Sequence, residues 1–279
     1  MMEPADLVQR SAVYLAAHGV ESPRATAETL LMHFLGTDRA GLYARTDGLD
    51  TATARLYGRA LCQRCSGTPL QHLTGEQQFM NLALKVSPGV FVPRPETEGL
   101  VEAALEAIAA VATPVVVDVG TGTGAVALAI KRHRPDARIL ATDVSEAAVT
   151  LAAQNSARHG LDMEVHKGDL ISPLPAELRG RLDLLVSNPP YVTREEYETL
   201  PEEVRAEPYE ALVGGTEVHQ RLVELAPVWL VAGGWLVVEI GADQGAQVRA
   251  LFEARLDHVE VLPDLAGRDR VVRGRTPAR

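Results

Sequence analysis

The chain has 279 residues, of which 46% are hydrophobic and 23% charged, and its formal net charge at pH 7 is −10. This composition is typical of a globular protein with enough chain for one full α/β domain and a smaller second one. The start of the chain is polar, and proline, glycine and glutamate interrupt the most apolar stretch (222–240), so we expect neither a signal peptide nor a membrane span and predict a cytoplasmic protein.

Residues 1–75 are predicted to form a small helical domain. Apolar residues recur at helical spacing in three segments separated by glycines, Pro4–His18, Ser22–Leu35 and Thr51–Ser66. Ser22 before Pro23 is typical of a helix start, with serine as the N-cap and proline in the first helical position. A bundle of this size offers no obvious pocket of its own, so we expect it to bind or position a substrate.

The only two cysteines, Cys62 and Cys65, form a C-x-x-C in the third predicted helix. A zinc site needs about four ligands, and the sequence has no second cysteine pair and no histidines at ligand spacing. We therefore interpret the two cysteines as small, partly buried helix residues and predict no metal site.

Residues 76–99 change character and are predicted to form a β-hairpin linker. Two short apolar segments, 78–86 and 90–92, lie between turn signals that include Pro88-Gly89 and Pro93-Arg94-Pro95.

From residue 100 onward, helices and strands alternate. The pattern predicts helices at 98–111, 125–133, 146–159, 218–230 and 244–254, and strands at 115–119, 138–142, 163–166, 182–187, 234–240, 258–262 and 270–273. Such alternation builds a mostly parallel sheet with helices on both faces. Ligands of such sheets bind outside the carboxyl ends of the strands.

Several of the predicted strands end in residues suited to a nucleoside ligand. The first is followed by Gly120-Thr121-Gly122-Thr123-Gly124, a loop that can approach a ligand closely, and Asp118 precedes this loop by two positions. The second ends at Asp143, in place to bind two ribose hydroxyls. After the third, Asp169 and Leu170 could hold the edge and face of adenine. A glycine loop alone is weak evidence, but the combination predicts a nucleoside site.

The fourth strand is followed by Asn188-Pro189-Pro190-Tyr191, which predicts a stiff loop. Two successive prolines provide no backbone N–H and hold φ near −65°. The loop thus presents an amide side chain, a fixed carbonyl and an aromatic face together, which suits a planar group carrying an NH2. From these residues alone, adenine and glutamine are equally possible acceptors.

These motifs resemble the class I S-adenosylmethionine-dependent methyltransferases, and more closely the HemK/PrmC family of peptide chain release factor N(5)-glutamine methyltransferases. The resemblance covers nearly the whole chain. Its specific parts, besides the glycine loop and Asn188 to Tyr191, are residues 69–75, 91–98, 207–212 and 264–270. It implies a Rossmann-like, seven-stranded, mostly parallel sheet over residues 100–279. It also implies S-adenosylmethionine as cofactor and the glutamine of a release factor Gly-Gly-Gln loop as acceptor.

Carried over residue by residue, the resemblance implies that Gly120 to Gly124 line the methionine end of the cofactor, that Asp143 holds the ribose and that Leu170 packs by the adenine. Asn188 would touch both cofactor and acceptor, with Pro189, Pro190 and Tyr191 completing the acceptor seat. Arg94 and Glu96 would close over the cofactor. One departure lies at 214–219, where relatives usually have aspartate-glycine-leucine.

We expect catalysis by positioning, because no strong base lies beside the motif. The Asn188 side-chain oxygen and the Pro189 carbonyl would accept the two amide hydrogens and aim the nitrogen at the methyl group. Tyr191 ionises only near pH 10 in model peptides.

Three alternatives remain open at the level of sequence. An N(6)-adenine nucleic-acid methyltransferase fits the same seat, but residues 86–279 carry the whole net charge of −10, which disfavours a bare phosphate backbone, so we expect no direct DNA binding. A ribosomal-protein glutamine could be the acceptor instead. A non-catalytic nucleoside-binding protein is disfavoured by the intact glycine loop, Asp143 and Asn188.

Overall fold

The computed structural model describes residues 3–278, which form two compact units. One unit comprises the chain up to Glu76 together with Pro201–Ala206, and the other comprises Gln77–Leu200 together with the chain from Glu207 onward. No sequence pattern indicates that the short segment Pro201–Ala206 belongs with the helical unit. The division of the chain at residues 75 and 99 stays a prediction.

The described chain contains helices and strands in the following order. The helices are α1 (Pro4–Ala17), α2 (Pro23–Leu35), α3 (Arg39–Ala44), α4 (Thr51–Cys65), α5 (Leu70–Thr74), α6 (Glu98–Ala107), α7 (Ala125–His133), α8 (Glu146–His159), α9 (Arg194–Tyr197), α10 (Glu202–Arg205), α11 (Tyr209–Leu212), α12 (Glu217–Trp229) and α13 (Gly245–Glu253). The strands are β1 (Glu76–Phe79), β2 (Leu82–Lys85), β3 (Val115–Val119), β4 (Arg138–Asp143), β5 (Glu164–Lys167), β6 (Leu182–Ser187), β7 (Leu230–Glu239), β8 (Asp257–Pro263) and β9 (Asp269–Arg275). Among these described helices, none is long and apolar enough to cross a membrane.

The helical unit is built on apolar side chains of α1, α2 and α4, with Leu15, Leu30 and Tyr57 among the buried ones. The buried carboxylate of Glu28 accepts a hydrogen bond from the Tyr43 hydroxyl at 2.6 Å and ties α2 to α3. The three predicted helices are present within one residue at each end. The predicted side-chain cap is wrong, because Ser22 has φ = 47° and its hydroxyl caps no backbone N–H, whereas Pro23 occupies the first helical position as expected.

The second unit contains a seven-stranded sheet in the order β5-β4-β3-β6-β7-β9-β8. Strands β3 to β7 pair in parallel, and β9 runs antiparallel to both neighbours. Side chains alternate along each strand, so that Val116 of β3 packs against α6 and α7 while Val117 packs on the opposite face, where α12 and α13 lie. The predicted α/β class and mostly parallel sheet are therefore confirmed.

The predicted hairpin is present, but the second of the two apolar segments takes no part in it. Strands β1 and β2 both lie within or beside the first apolar segment, and their turn is Met80-Asn81, with φ of 43° and 63°. Two successive residues of positive φ match the right-handed twist of a two-residue hairpin, a geometry that asparagine tolerates. Residues 90–92 form no strand, and Val92 is buried. The Asn155 side chain of α8 bonds both the N–H and the C=O of Lys85, at 2.7 and 3.1 Å, and so holds the edge of β2.

The carboxyl ends of β3, β4, β5, β6 and β7 meet at one edge of the sheet. Because β9 is antiparallel, the β8–β9 turn lies at this same edge. The segments that the sequence analysis singled out, from the glycine loop to Asn188, therefore lie side by side.

Candidate active site

The glycine loop after β3 leaves open space in front of it. Gly120, Gly122 and Gly124 all have positive φ, between 56° and 83°. A Cβ on Gly120 or Gly122 would meet no atom within 4 Å, whereas one on Gly124 would lie 3.1 Å from the Met163 side chain and 3.4 Å from the Ala152 Cα. The first two glycines thus face a space that a ligand can fill, and the third allows α7 to pack beside α8.

Asp118 supports this loop from behind. It is buried, and one carboxylate oxygen accepts hydrogen bonds from the Thr121 hydroxyl at 2.6 Å and the Ala127 N–H at 3.2 Å. Burial raises the pKa of Asp118 to about 6. Thr121 and Thr123 are also buried, and contact of these two residues with a cofactor stays a prediction.

Asp143 at the end of β4 is half-buried and anchors the same loop. One carboxylate oxygen accepts the Gly122 N–H and the other the Ser145 N–H, each at 2.9 Å. Each oxygen retains a further lone pair, so the carboxylate can still accept the two hydroxyls of a ribose. The loop and Asp143 together fit the nucleoside and amino-acid parts of the predicted cofactor.

The end of β5 shows a different arrangement. The Asp169 carboxylate is half-exposed and pairs with Arg221 of α12 at 2.5 Å. Leu170 has φ = 48°, an uncommon conformation for a non-glycine residue, and its side chain packs against the core under α12. The predicted roles of Asp169 and Leu170 at the adenine stay predictions, and an adenine contact by Asp169 would share its carboxylate with Arg221.

Asn188 follows β6 at the predicted loop. Its Nδ2 donates a hydrogen bond to Thr97 Oγ1 at 3.1 Å. This bond orients the amide so that Oδ1 is left to accept from another molecule. Pro190 is closely packed, since a Cβ on Gly214 would lie 2.4 Å from its carbonyl oxygen.

Tyr191 is held from both ends. Its hydroxyl donates to Glu239 Oε1 at 3.3 Å, and its carbonyl accepts from Gln244 Nε2 at 2.8 Å. Burial, with the Glu239 charge beside it, raises the pKa of the hydroxyl well above its usual range. Tyr191 is therefore a neutral hydroxyl at physiological pH and not a base.

Two residues of this site, Thr97 and Glu239, were not predicted from the sequence. Both are buried: Thr97 Oγ1 accepts the hydrogen bond from Asn188, and Glu239 Oε1 accepts that from Tyr191, while Glu239 Oε2 has no hydrogen-bond partner among the described residues. Burial raises the pKa of Glu239 to about 7, against the opposing effect of the Arg270 charge. In the sequence, Glu239 is a single acidic residue at the end of an apolar strand, and it was interpreted only as an interruption of the apolar stretch.

Segment 214–219, which departs from the family pattern, contributes to the same site. His219 of α12 is fully buried, and its Nε2 donates to the backbone carbonyl of Glu239 at 2.9 Å. Burial lowers the pKa of His219 below its ordinary value, so the ring is neutral. His219 thus fixes the end of β7.

Arg94 and Glu96 lie in different environments. Arg94 forms an ion pair with the buried Glu207, whose other oxygen accepts the Val92 N–H at 2.9 Å, and its guanidinium lies 5.0 Å from the Phe91 ring centroid. Glu96 is exposed. The structure thus fastens Arg94 to Glu207, and closure of either residue over a cofactor stays a prediction.

Comparison with known proteins identifies the family. The PrmC N-terminal domain matches residues 6–75, and the methyltransferase small domain matches residues 81–267. The chain is 44% identical to the release factor glutamine methyltransferase of Moorella thermoacetica over 265 residues, covering 92% of each chain. It is 39% identical to that of Cereibacter sphaeroides over 285 residues, covering 99% of this chain and all of the relative. The chain belongs to the release factor glutamine methyltransferase family.

Solved structures confirm the fold of this family member. A methyltransferase from Pyrococcus furiosus is similar with a TM-score of 0.51 and 18% identity, covering 71% of this chain and 90% of the other. The T. thermophilus 16S rRNA N2 G1207 methyltransferase, in complex with AdoMet and guanosine, has a TM-score of 0.55 and 21% identity, covering 72% and 49%. The fold is that of a class I S-adenosylmethionine-dependent methyltransferase.

Proposed function

We propose that this enzyme transfers a methyl group from S-adenosylmethionine to the side-chain amide nitrogen of a glutamine in a peptide chain release factor. The products are N(5)-methylglutamine and S-adenosylhomocysteine. The observation that carries the proposal is the orientation of Asn188: Thr97 binds its Nδ2, which leaves Oδ1 as an acceptor for an incoming NH2 group. The family of the chain supports a glutamine of the Gly-Gly-Gln loop as the bearer of that group.

The residues that would hold the cofactor are those already described at the strand ends. Gly120 to Gly124 would line it with backbone, and Asp143 would accept its ribose hydroxyls. When bound, S-adenosylmethionine supplies an activated methyl group. Asp118 has its carboxylate turned to Thr121 and Ala127, so its part is to keep the loop in shape.

The protein groups around the acceptor act by position and polarity. An amide nitrogen is a poor nucleophile because its lone pair is delocalised into the carbonyl. Asn188 Oδ1 and the Pro189 carbonyl would accept its two hydrogens, which draws electron density onto nitrogen and fixes the direction of attack. The walls of the acceptor-binding pocket would be formed by Pro189, Pro190 and Tyr191. The neutral Tyr191 hydroxyl takes no proton, so the proton is released to water after transfer.

The test is mass spectrometry of purified release factors incubated with the enzyme and isotopically labelled S-adenosylmethionine. The expected result is a gain of one labelled CH2 unit on the peptide that contains the Gly-Gly-Gln sequence, and none on a factor whose glutamine is replaced by alanine. Label in DNA or RNA would instead support an N(6)-adenine methyltransferase. Label on a ribosomal protein alone would identify a different glutamine substrate.

The proposed activity has consequences for the binding partners of the enzyme and for its location in the cell. The acidic second unit disfavours direct DNA binding, since counter-ion release requires basic side chains along a phosphate backbone. A release factor substrate would place the reaction in the cytoplasm. We also propose that the helical unit binds the release factor substrate.

A further inference from the structure

The chain that leaves β7 is held by side chains from three other parts of the fold. His219 of α12 and Arg270 of β9 donate to the successive carbonyls of 239–240, at 2.9 and 3.1 Å. Gln244, directly before α13, accepts the next backbone group, the Gly241 N–H, on Oε1 at 2.9 Å. Three consecutive residues are thus bound through their backbone, so the end of β7 is a fixed point at the sheet edge that carries the candidate site.

Gln244 also reaches the loop that follows β6. Its Nε2 donates to the Tyr191 carbonyl at 2.8 Å. The three residues are closely packed, since a Cβ on Gly241 would lie 3.2 Å from Gln244 Oε1 and 3.5 Å from Tyr191 Cδ2. The glycine at position 241 therefore lets the end of β7 approach both the Gln244 amide and the Tyr191 ring.

The two partners of Gln244 require opposite hydrogen-bonding groups. The Gly241 N–H needs an acceptor and the Tyr191 carbonyl needs a donor, and a glutamine amide offers both in a single orientation. A carboxylate of the same shape can accept from Gly241 but cannot donate to Tyr191, and a methionine thioether cannot donate either. The side chain at position 244 is therefore matched to its surroundings by chemistry as well as by length.

Two successive prolines limit how the loop 188–191, here called the acceptor loop, can be held. Pro189 and Pro190 have no N–H, so this part of the chain is held by packing or through its carbonyls. Pro190 packs against Gly214, and the Tyr191 carbonyl is bound by Gln244. The bond from Gln244 thus acts two residues beyond the Pro189 carbonyl, on a chain whose φ angles are restricted between them.

We propose that Gln244 is a positioning residue for methyl transfer: from the fixed end of β7 it holds the Tyr191 carbonyl, and thereby the Tyr191 ring and the Pro189 carbonyl that meet the acceptor amide. The inference rests on the proposed function, because it assumes that an NH2-bearing acceptor binds at the acceptor loop. Gln244 acts through Tyr191 and need not touch the substrate.

Kinetics of matched variants provide the first experiment. Gln244→Glu and Gln244→Met should each lower kcat for the release factor about 10- to 100-fold at neutral pH, the effect of a reacting group displaced by about 1 Å. The dissociation constant of S-adenosylmethionine, measured by calorimetry, should change by less than about 3-fold, because Gln244 bonds the acceptor loop and not the glycine loop. Gln220→Glu and Gln220→Met, at an exposed position of α12, are the controls and should behave as wild type.

Recovery in acid separates positioning from a merely structural role. A protonated carboxyl group can accept from Gly241 and donate to Tyr191, as the amide does. The kcat of Gln244→Glu, divided by that of wild type at the same pH, should therefore rise at least about 3-fold between about pH 8 and about pH 5.5. The same ratio for Gln244→Met should stay constant, because methionine gains no donor.

Dividing by the wild-type rate removes the titration of the neighbouring groups, which both proteins share. The charged and titratable groups around position 244 are Tyr191 from the acceptor loop, Glu239 from β7, Asp243 beside it, Asp269 and Arg270 from β9, and Glu96 from the turn before α6. A constant ratio for Gln244→Glu, or a folded Gln244→Glu enzyme with kcat within about 2-fold of wild type at neutral pH, would overturn the inference.

Two outcomes keep the inference apart from the proposed function. A wild-type enzyme that methylates no glutamine contradicts the function itself, whereas normal glutamine methylation by Gln244→Glu contradicts only the role of Gln244. Should both variants fail to fold, hydrogen exchange of side-chain amides in the wild-type enzyme, followed by 15N NMR, tests the same bond. The Gln244 NH2 should exchange at least about 10-fold more slowly than that of exposed Gln220, and equal exchange would overturn the inference.

Discussion

Three structural features meet at Asn188. It follows the buried strand β6, two prolines restrain the chain after it, and its amide donates a 3.1 Å hydrogen bond to Thr97. An acceptor oxygen whose direction is fixed before the substrate arrives requires no reorganisation during the reaction. In the proposed mechanism, catalysis at this site therefore depends on side-chain orientation more than on any acid or base.

Asn188→Ala should reduce kcat by at least about 100-fold, because it removes an acceptor made for the reacting nitrogen. Affinity for S-adenosylmethionine should stay within about 10-fold, since the glycine loop and Asp143 are unchanged. Radiometric methyl transfer and calorimetry measure the two quantities. Gln154→Ala, at an exposed position of α8, is the control and should behave as wild type. Near-normal turnover by a folded Asn188→Ala enzyme would contradict the mechanism.

Glu239 also makes stability depend on pH. Its pKa is raised from 4.5 to about 7 in the folded protein, so the folded state binds more protons than the unfolded state between these values. The free energy of unfolding should therefore fall as pH rises from about 4.5 to 7 and then level off. The contribution of this one group is at most about 3 kcal/mol.

Urea denaturation at several pH values tests this prediction. Glu239→Gln should lose that part of the slope, whereas Glu102→Gln, at an exposed position of α6, should keep it. Asp118, with its pKa raised to about 6, contributes in the same direction at lower pH in all three proteins. Identical slopes for wild type and Glu239→Gln would show that Glu239 does not titrate in this range.

At the scale of elements, the glycine loop depends on two carboxylates from different strands. Asp118 of β3 binds the Thr121 hydroxyl and the first turn of α7, and Asp143 of β4 binds the Gly122 N–H. The loop is thus supported at both ends while its outer side stays open. The sequence analysis assigned Asp143 to the ligand alone; the structure adds its contact with the loop.

Gly122→Ala tests whether that open side receives the cofactor. The residue has φ = 56°, so alanine should cost about 1 kcal/mol of stability, and its methyl group would project into the space in front of the loop. Affinity for S-adenosylmethionine should fall by at least about 10-fold. Gly160→Ala is the matched control, because its φ is 60° and its Cβ also meets nothing within 4 Å, but it lies at the end of α8. It should share the stability loss and bind the cofactor normally.

At the scale of the whole molecule, the chain forms two units of unequal size, and the short segment Pro201–Ala206 belongs to the first of them. Within the helical unit, Arg64 of α4 is 8% exposed along its side chain and pairs with Glu203 of α10 at 2.6 Å. Arg64 also donates to the Thr68 carbonyl. This ion pair fastens the segment Pro201–Ala206, which lies far along the chain, to the helices that begin it.

Glu203→Gln should lower the unfolding free energy of the helical unit by about 1–2 kcal/mol, because a mostly buried guanidinium loses its charged partner. Hydrogen exchange of α4 and α10 measures this local effect. Glu195→Gln, at an exposed position of α9, should leave exchange unchanged. Equal protection in both variants would mean that solvent screens the pair fully.

The sequence by itself determined the order of the sheet strands and of the longer helices, and the residues at the strand ends. Strands β3 and β6 and helices α7 and α8 begin and end where predicted, because glycine, proline and the apolar period mark their limits locally. The hairpin turn at Met80-Asn81 could not be located from the sequence, because this pair is a weak turn signal inside an apolar segment. Helices α3 and α5 are too short for a periodic pattern to reveal.

Only the tertiary structure decided which side chains surround Asn188 and Tyr191. Thr97, Glu239 and His219 come from a turn, a strand and a helix that are distant in sequence, and each alone has an ordinary local pattern. Their meaning depends on burial and on hydrogen-bond direction, which exist only once β6, β7 and α12 pack together. Local sequence patterns specify elements and strand-end motifs, whereas the environment that orients Asn188 is a property of the packed sheet edge.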